Sequence, residues 1–323
     1  MLLRQVRYNN FNIKCNNETL VNEAIKDKSE FSLNKGASII PLEDGSFKIE
    51  NDLCESIIFS KNNILTSFKS QSSTKLLQKN LVGISKESIN NIINELSGEF
   101  RNIIKNKNGN YFFSSLIKIS NKDQRIKILK ELSNTIYEDC NDEYGTHPIQ
   151  NLIEIASNEE EFKIILSSFD DFNKIIMATV NKYGTYVVQK IIIHIPEEYR
   201  MNFNLIFVKF ICIFSRDSLG IYAVKKFITY TKNNIIVSQF LDIVLNNFVN
   251  LAENKFGNYL IQYLLEIWWT KKEGEPIKNA INSKFKLLVQ NHYSSYICNL
   301  YLKLKSQFGD NNDLNSEILE TKQ

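Results

Sequence analysis

The sequence predicts an all-α solenoid, and three observations carry that prediction. First, a short glycine-centred segment recurs: Asn108-Gly109-Asn110-Tyr111, Tyr144-Gly145-Thr146-His147, Tyr183-Gly184-Thr185-Tyr186, Leu219-Gly220-Ile221-Tyr222 and Phe256-Gly257-Asn258-Tyr259. The glycines lie 36, 39, 36 and 37 residues apart, the period of stacked helical units. Second, from about residue 53 to 305 apolar residues fall at three- and four-residue spacing, most clearly over 89–96, 125–132, 162–169, 235–244 and 281–289. Third, the chain holds only four prolines in 323 residues, so little interrupts a helix.

Residues 1–52 do not share the repeat. They are polar, with Pro41 and a turn-like Leu42-Glu43-Asp44-Gly45-Ser46, and read as an N-terminal cap or flexible arm. Residues 53–305 read as the repeat domain, each unit holding two or three helices with the marked glycine before the last. A glycine there suits a left-handed residue that ends one helix and turns the chain sharply into the next. Pro196 and Pro276 fall where helices should start, and Pro148 sits in the first turn after Gly145, where a missing N–H costs little. Two further copies appear in the same register, Ser73-Thr74-Lys75-Leu76-Leu77-Gln78 and Ser294-Ser295-Tyr296-Ile297-Cys298-Asn299, with serine for glycine. That makes about seven repeats. Residues 306–323 read as a polar C-terminal tail.

Composition bounds the function. The formal charge of +3 and a pI near 8.4 permit a polyanionic partner but exclude one held by charge alone. Five scattered cysteines without metal-ligand spacing fit reduced, buried thiols in a cytoplasmic protein. The N-terminus lacks a secretory apolar stretch, and the greasiest run, residues 205–214, is broken by Lys209 and is too short for a bilayer. Phosphate loops, nucleophile motifs and paired carboxylates in a glycine-rich setting are also missing from the sequence. The expectation is a non-enzyme with no cofactor and no metal.

The candidate site follows from aligning the seven copies. The first, second and fifth residues after each turn are Thr74/Lys75/Gln78, Asn110/Tyr111/Ser114, Thr146/His147/Gln150, Thr185/Tyr186/Gln189, Ile221/Tyr222/Lys225, Asn258/Tyr259/Gln262 and Ser295/Tyr296/Asn299. Positions one and five lie a helical turn apart on one face. Small or amide groups there match the polar edge of a nucleobase, and a ring at position two can stack on its flat face, a contact of about 1–3 kcal/mol. Positions three and four, such as Val187-Val188 and Leu260-Ile261, are apolar and point to the core. A helix-starting tyrosine is by itself an ordinary packing residue; six rings in seven equivalent places favour stacking. Lys79, Lys190 and Lys226 follow position five and are candidate backbone contacts, while Trp268 and Trp269 read as core.

Gly184-Thr185-Tyr186-Val187-Val188-Gln189 and Gly257-Asn258-Tyr259-Leu260-Ile261-Gln262 resemble the reading helices of Pumilio-homology (PUF) repeats, and Ser294 to Asn299 resembles the family's serine-for-glycine repeat. The resemblance spans roughly residues 53–305. It implies a right-handed crescent of three-helix repeats whose concave face holds single-stranded RNA, antiparallel to the protein, one base per repeat. Carried over, Asn258/Tyr259/Gln262 looks like a uracil reader, Thr185/Tyr186/Gln189 and Thr146/His147/Gln150 like weaker variants of it, and Thr74/Lys75/Gln78 is similar to adenine readers, with lysine where arginine usually stacks. The implied target is N-U-N-U-U-N-A, read 5′ to 3′.

Three departures stand out: seven repeats rather than eight, Asn299 where the guanine reader carries glutamate, and Ile221/Lys225, which cannot match a base edge in the usual way. The resemblance further implies a monomeric regulator of mRNA 3′ untranslated regions that recruits protein co-repressors through its convex face. Two alternatives differ in class: a nucleolar relative binding pre-ribosomal RNA with little base preference, and a HEAT- or armadillo-like protein-binding scaffold, which would have no need of the repeated ring and glutamine.

Overall fold

The computed structural model describes residues 38–41, 47–51 and 54–308, and the chain divides into two compact units at residues 59 and 60. In the first unit β1 (Ser38–Pro41), β2 (Phe47–Asn51) and β3 (Cys54–Phe59) form an antiparallel sheet in that order. Ser38 pairs with Glu50 and Phe47 with Phe59, with an irregularity between Ile49 and Asn51. Pro41, which has no N–H to give, ends the edge strand. The sheet corrects the expectation of helix from about residue 53, because Ile57, Ile58 and Phe59 favour an extended chain. The expected turn at 42–46 lies outside the described residues.

The second unit is an α-solenoid. Numbered in chain order, its helices fall into three rows. One row holds α2 (Gln71–Asn80), α5 (Gly109–Ile119), α8 (Thr146–Ile155), α11 (Gly184–His194), α14 (Gly220–Tyr230), α17 (Gly257–Trp268) and α19 (Ser294–Phe308). Each packs on the next in the row, so the seven recurring segments start seven stacked helices, one per repeat. Before them come the shorter α1 (Lys61–Ser67), α4 (Phe100–Ile104), α7 (Ile136–Cys140), α10 (Phe172–Val180), α13 (Ile211–Ser215) and α16 (Phe248–Ala252). The third row is α3 (Lys86–Glu95), α6 (Lys122–Leu132), α9 (Glu159–Ser167), α12 (Met201–Lys209), α15 (Asn234–Asn246) and α18 (Glu275–Leu288).

Local sequence explains the starts. Ser85, Asn121, Asn158 and Asn233 cap α3, α6, α9 and α15 through their side-chain oxygens, Asn121 in a reciprocal box with Gln124. Pro276 lies in the first turn of α18, as expected, and Pro148 in that of α8. Pro196 does not open a helix: α12 begins at Met201, and the proline carbonyl instead accepts from Tyr199 N–H in a turn. α19 continues to Phe308, past the expected boundary at 305; residues 309–323 lie outside the described residues.

The rows enclose a continuous aromatic and aliphatic core. Phe207 lies 4.7 Å from both Phe214 and Phe227, and Phe100 lies 5.2 Å from Phe113, measured between ring centroids. Burying each such side chain contributes about 1.5–3 kcal/mol. Trp268 and Trp269 are buried, as expected. Polar clamps tie repeat to repeat: Arg125 donates to both Glu161 oxygens, at 2.6 and 3.2 Å, and Arg101 reaches Asp139 at 3.2 Å. Arg200, fully buried, donates to the carbonyls of Ile195 and Tyr230 and to Asn204 Oδ1. In the helical unit Cys140, Cys212 and Cys298 are free of disulfides, and burial pushes each thiol up, away from reactivity.

Candidate nucleic-acid interface

Every helix of the first row from α5 onward begins on the same turn. An Asn or Asp three residues before the glycine or its serine substitute accepts two backbone N–H groups through Oδ1. Asn106 takes those of Asn108 and Gly109, Asp142 those of Tyr144 and Gly145, and Asn181 those of Tyr183 and Gly184. Asp217, Asn254 and Asn291 repeat the arrangement, and Ser70 serves Ser73 before α2. Each cap is worth about 1 kcal/mol. Their signal lies in the sequence itself, where Asn or Asp at minus three recurs six times.

The marked glycines are not left-handed, which corrects the expectation. Gly145 has φ −60°, and the positive-φ glycines among the described residues are Gly83 and Gly98. The requirement is close approach: a Cβ on Gly109, Gly145, Gly220 or Gly257 would lie 2.5–2.7 Å from the carbonyl oxygen six residues earlier. At Ser294 the same carbonyl position, Leu288 O, accepts a 2.6 Å hydrogen bond from the serine hydroxyl. Serine therefore replaces glycine by turning the crowding into a bond.

Position one lies beneath the surface. Thr74, Asn110, Thr146, Thr185, Ile221 and Asn258 are all at most 4% exposed. The amide of Asn258 donates to the carbonyls of Asn254 and Lys255, and Asn110 does the same to Asn106 and Lys107. Thr146 and Thr185 donate to the carbonyls of Tyr183 and Leu219 in the following repeat. Position five sits above, and in three repeats the pair meets: Gln262 donates to Asn258 Oδ1 at 2.8 Å, Gln150 to Thr146 Oγ1 at 3.0 Å and Gln189 to Thr185 Oγ1 at 3.4 Å. Each bond holds the glutamine head, whose carbonyl and second N–H stay free to face a ligand edge.

In the other repeats the pair does not meet. Gln78 turns away from Thr74 and donates to Tyr111 O and Ser115 Oγ. Ser114 is too short to reach Asn110, whose Oδ1 is buried without a partner. Ser295 donates to His292 O rather than engaging Asn299, which is exposed. Lys225 lies 5.9 Å from the Tyr259 ring and 5.2 Å from the Tyr263 ring, and burial lowers its pKa below the ordinary lysine value.

Position two forms the exposed row. Tyr111, Tyr186, Tyr222, Tyr259 and Tyr296 each keep 50–60% of their surface, and Lys75 and His147 are exposed beside them. Rings of that size are normally covered in a soluble protein, so a repeated exposed ring points to a ligand face. Desolvation lowers the His147 pKa, which favours the neutral imidazole. Of the lysines after position five, Lys190 is held by Glu154 at 3.1 Å, while Lys79 and Lys226 are exposed.

A sequence profile described as the Pumilio-family RNA binding repeat matches residues 99–133, 179–202 and 247–267. These segments take in the starts of α5, α11 and α17, three of the turns above. Among curated proteins, Pumilio homolog 12 of Arabidopsis thaliana is 24% identical over 290 residues, covering 81% of this chain and 47% of its own length, and Pumilio homolog 11 is 23% identical over 257 residues, covering 75% and 43%. The chain thus spans about half the length of the curated relatives it matches. Among solved structures, the RNA-binding domain of yeast Puf5p bound to SMX2 RNA superposes with a TM-score of 0.66 at 19% identity, covering 75% of this chain and 69% of that one. PUF-8 in complex with PBE-RNA gives 0.68 at 17% identity, covering 76% and 72%. Profile, relatives and fold converge: the chain is similar to the Pumilio-family repeat proteins, in sequence over three of its repeats and in fold along the solenoid.

Proposed function

We propose that this chain binds single-stranded RNA along the row of first-row helix starts, taking about one base per repeat, and thereby regulates mRNA after transcription. The observation that carries the reading is the exposed ring at position two over a glutamine fixed from below, at its best in Asn258/Tyr259/Gln262. A base stacked on Tyr259 presents its polar edge to the free carbonyl and N–H of Gln262, a donor and acceptor pair that suits the N3–H and an exocyclic oxygen of uracil. The profile's description and the RNA-bound state of the similar Puf domains support the same ligand class. Function of this kind needs occupancy and no bond-making chemistry, so the reading is a non-enzymatic, cytoplasmic regulator acting at 3′ untranslated regions through repression or decay.

The test is selection from a random RNA pool with the purified chain, repeated on Asn258→Ala/Gln262→Ala. A short enriched motif containing uracil, with preference lost at one position in the variant, is the expected outcome. Tight, salt-sensitive binding with no motif would replace the proposal by a base-independent binder, and no binding at physiological salt would overturn RNA recognition altogether.

A further inference from the structure

The fourth repeat is longer than its neighbours. Gly145 and Gly184 are 39 residues apart where the flanking spacings are 36, and the structure shows where the extra residues go. α4, α7, α13 and α16 all begin nine residues before their glycine or its neighbour in register, on Phe100, Ile136, Ile211 and Phe248, and each of these is buried. The equivalent of these in α10 is Ile175, also buried, yet α10 starts three residues earlier. The core is complete without Phe172-Asn173-Lys174. This additional turn is capped by Asp171, whose carboxylate accepts from Asn173 N–H at 2.7 Å.

The added turn builds a groove. Phe172, 49% exposed, stacks on Phe210 at 5.7 Å with ring planes 16° apart. With Ile206, Lys174 and Lys209 these rings line an open cavity of about 640 Å³, and no position-one, -two or -five residue takes part in it. Its charges are unequal in what they have left to offer. Lys174 is paired with Asp170 at 3.2 Å, and Asp171 is committed to the helix start. Lys209 rests over the Phe210 ring at 5.8 Å and, among the described residues, has no carboxylate within ion-pair range. The uncommitted charge beside the apolar floor is therefore positive, and the stacked Phe172 and Phe210 rings offer an apolar side chain more cover than they offer a phosphate chain.

We infer that this groove is a docking site for a protein partner's segment carrying an aliphatic or aromatic side chain next to a carboxylate. The apolar side chain covers the Phe172 and Phe210 rings and the carboxylate meets Lys209. This site is independent of the RNA-reading row. The test pans a random peptide library displayed on phage against the full chain, then measures the selected peptide, made synthetically, by fluorescence anisotropy. The expected consensus is an apolar residue within one or two positions of Asp or Glu. Phe172→Ser and Lys209→Glu should each weaken it by about tenfold or more, and changing the peptide's acid to Lys should restore binding to Lys209→Glu. RNA affinity should be unchanged by either substitution, which separates failure here from failure of the RNA reading. Absence of an acidic-apolar consensus, peptide binding indifferent to both substitutions, or displacement of the peptide by a uridine oligonucleotide would each overturn the inference.

Discussion

Repeats five and six share a frame and differ in what they present. Both begin on an Asx cap, Asp217 or Asn254, that accepts two backbone N–H groups. Both place a glycine against the carbonyl six residues back and an exposed tyrosine, Tyr222 or Tyr259, at position two. Beneath the tyrosine, however, repeat six has an amide pair locked by a 2.8 Å hydrogen bond, and repeat five has a buried isoleucine and a lysine turned toward the neighbouring rings. The frame is maintained by the Asx cap and the glycine contact, so the residues at positions one and five can change without disturbing the stack. Architecture and the chemistry displayed at positions one and five are separable in this solenoid because they use different atoms.

The largest effect should come from attacking what the two repeats share. Gly220→Ala and Gly257→Ala each drive a Cβ to about 2.6 or 2.5 Å from a backbone carbonyl, and overpacking of this kind costs up to about 3 kcal/mol. Both variants should melt lower than the parent by a similar amount in thermal denaturation. Gly257→Ser should recover part of the loss, as the Ser294 hydroxyl does at Leu288. A drop confined to one repeat would break the equivalence.

A smaller effect should come from exchanging what differs. Ile221→Asn/Lys225→Gln gives repeat five the residues of repeat six, and the carbonyls of Asp217 and Ser218 stand where those of Asn254 and Lys255 receive the Asn258 amide. On the RNA-binding reading, selection with the variant should gain a uracil preference at one additional position, worth about 1–2 kcal/mol, or roughly 5–30-fold. An unchanged motif would show that the lysine-for-glutamine difference does not decide reading.

The smallest effect concerns repeat three, where histidine takes the place of these tyrosines. Burial lowers the His147 pKa, so between its folded value and the ordinary imidazole value near 6.5 the unfolded chain binds more protons. Stability should be independent of His147 above that window and fall as pH drops through it. His147→Tyr should flatten part of the fall in melting temperature, and His194, whose pKa burial also lowers, should contribute to what remains. An unchanged slope in His147→Tyr would remove His147 from the account.

Much of the site was legible in the sequence because it recurs. The period, the seven starts and the polar and aromatic triplets are all repeats of local pattern, and periodicity survives without knowledge of contacts. The meaning of the glycine was not legible: a turn glycine suggests positive φ, and only the approach of a carbonyl six residues back reveals a steric requirement. The Asx caps carry a periodic signal at minus three, but an isolated Asn or Asp before a glycine is common in any turn, so the capping role shows only in the hydrogen bonds. The strand Cys54–Phe59 departed from the expectation of helix from about residue 53 because it is short and its Ile57, Ile58 and Phe59 favour an extended chain.

The sequence alone determined the solenoid, its seven-fold register and the choice of residues at positions one, two and five. Helical period and side-chain chemistry are local properties, and repetition amplifies them. The tertiary structure decided which of those residues act together. Gln262 meets Asn258, whereas Gln78 crosses to the next repeat and Lys225 leans over its neighbour's rings. It also decided that an additional turn of three residues opens a groove around Phe172. Such outcomes depend on which atoms stacked helices bring within hydrogen-bond or van der Waals reach, and that distance is set by packing between repeats rather than by any one of them.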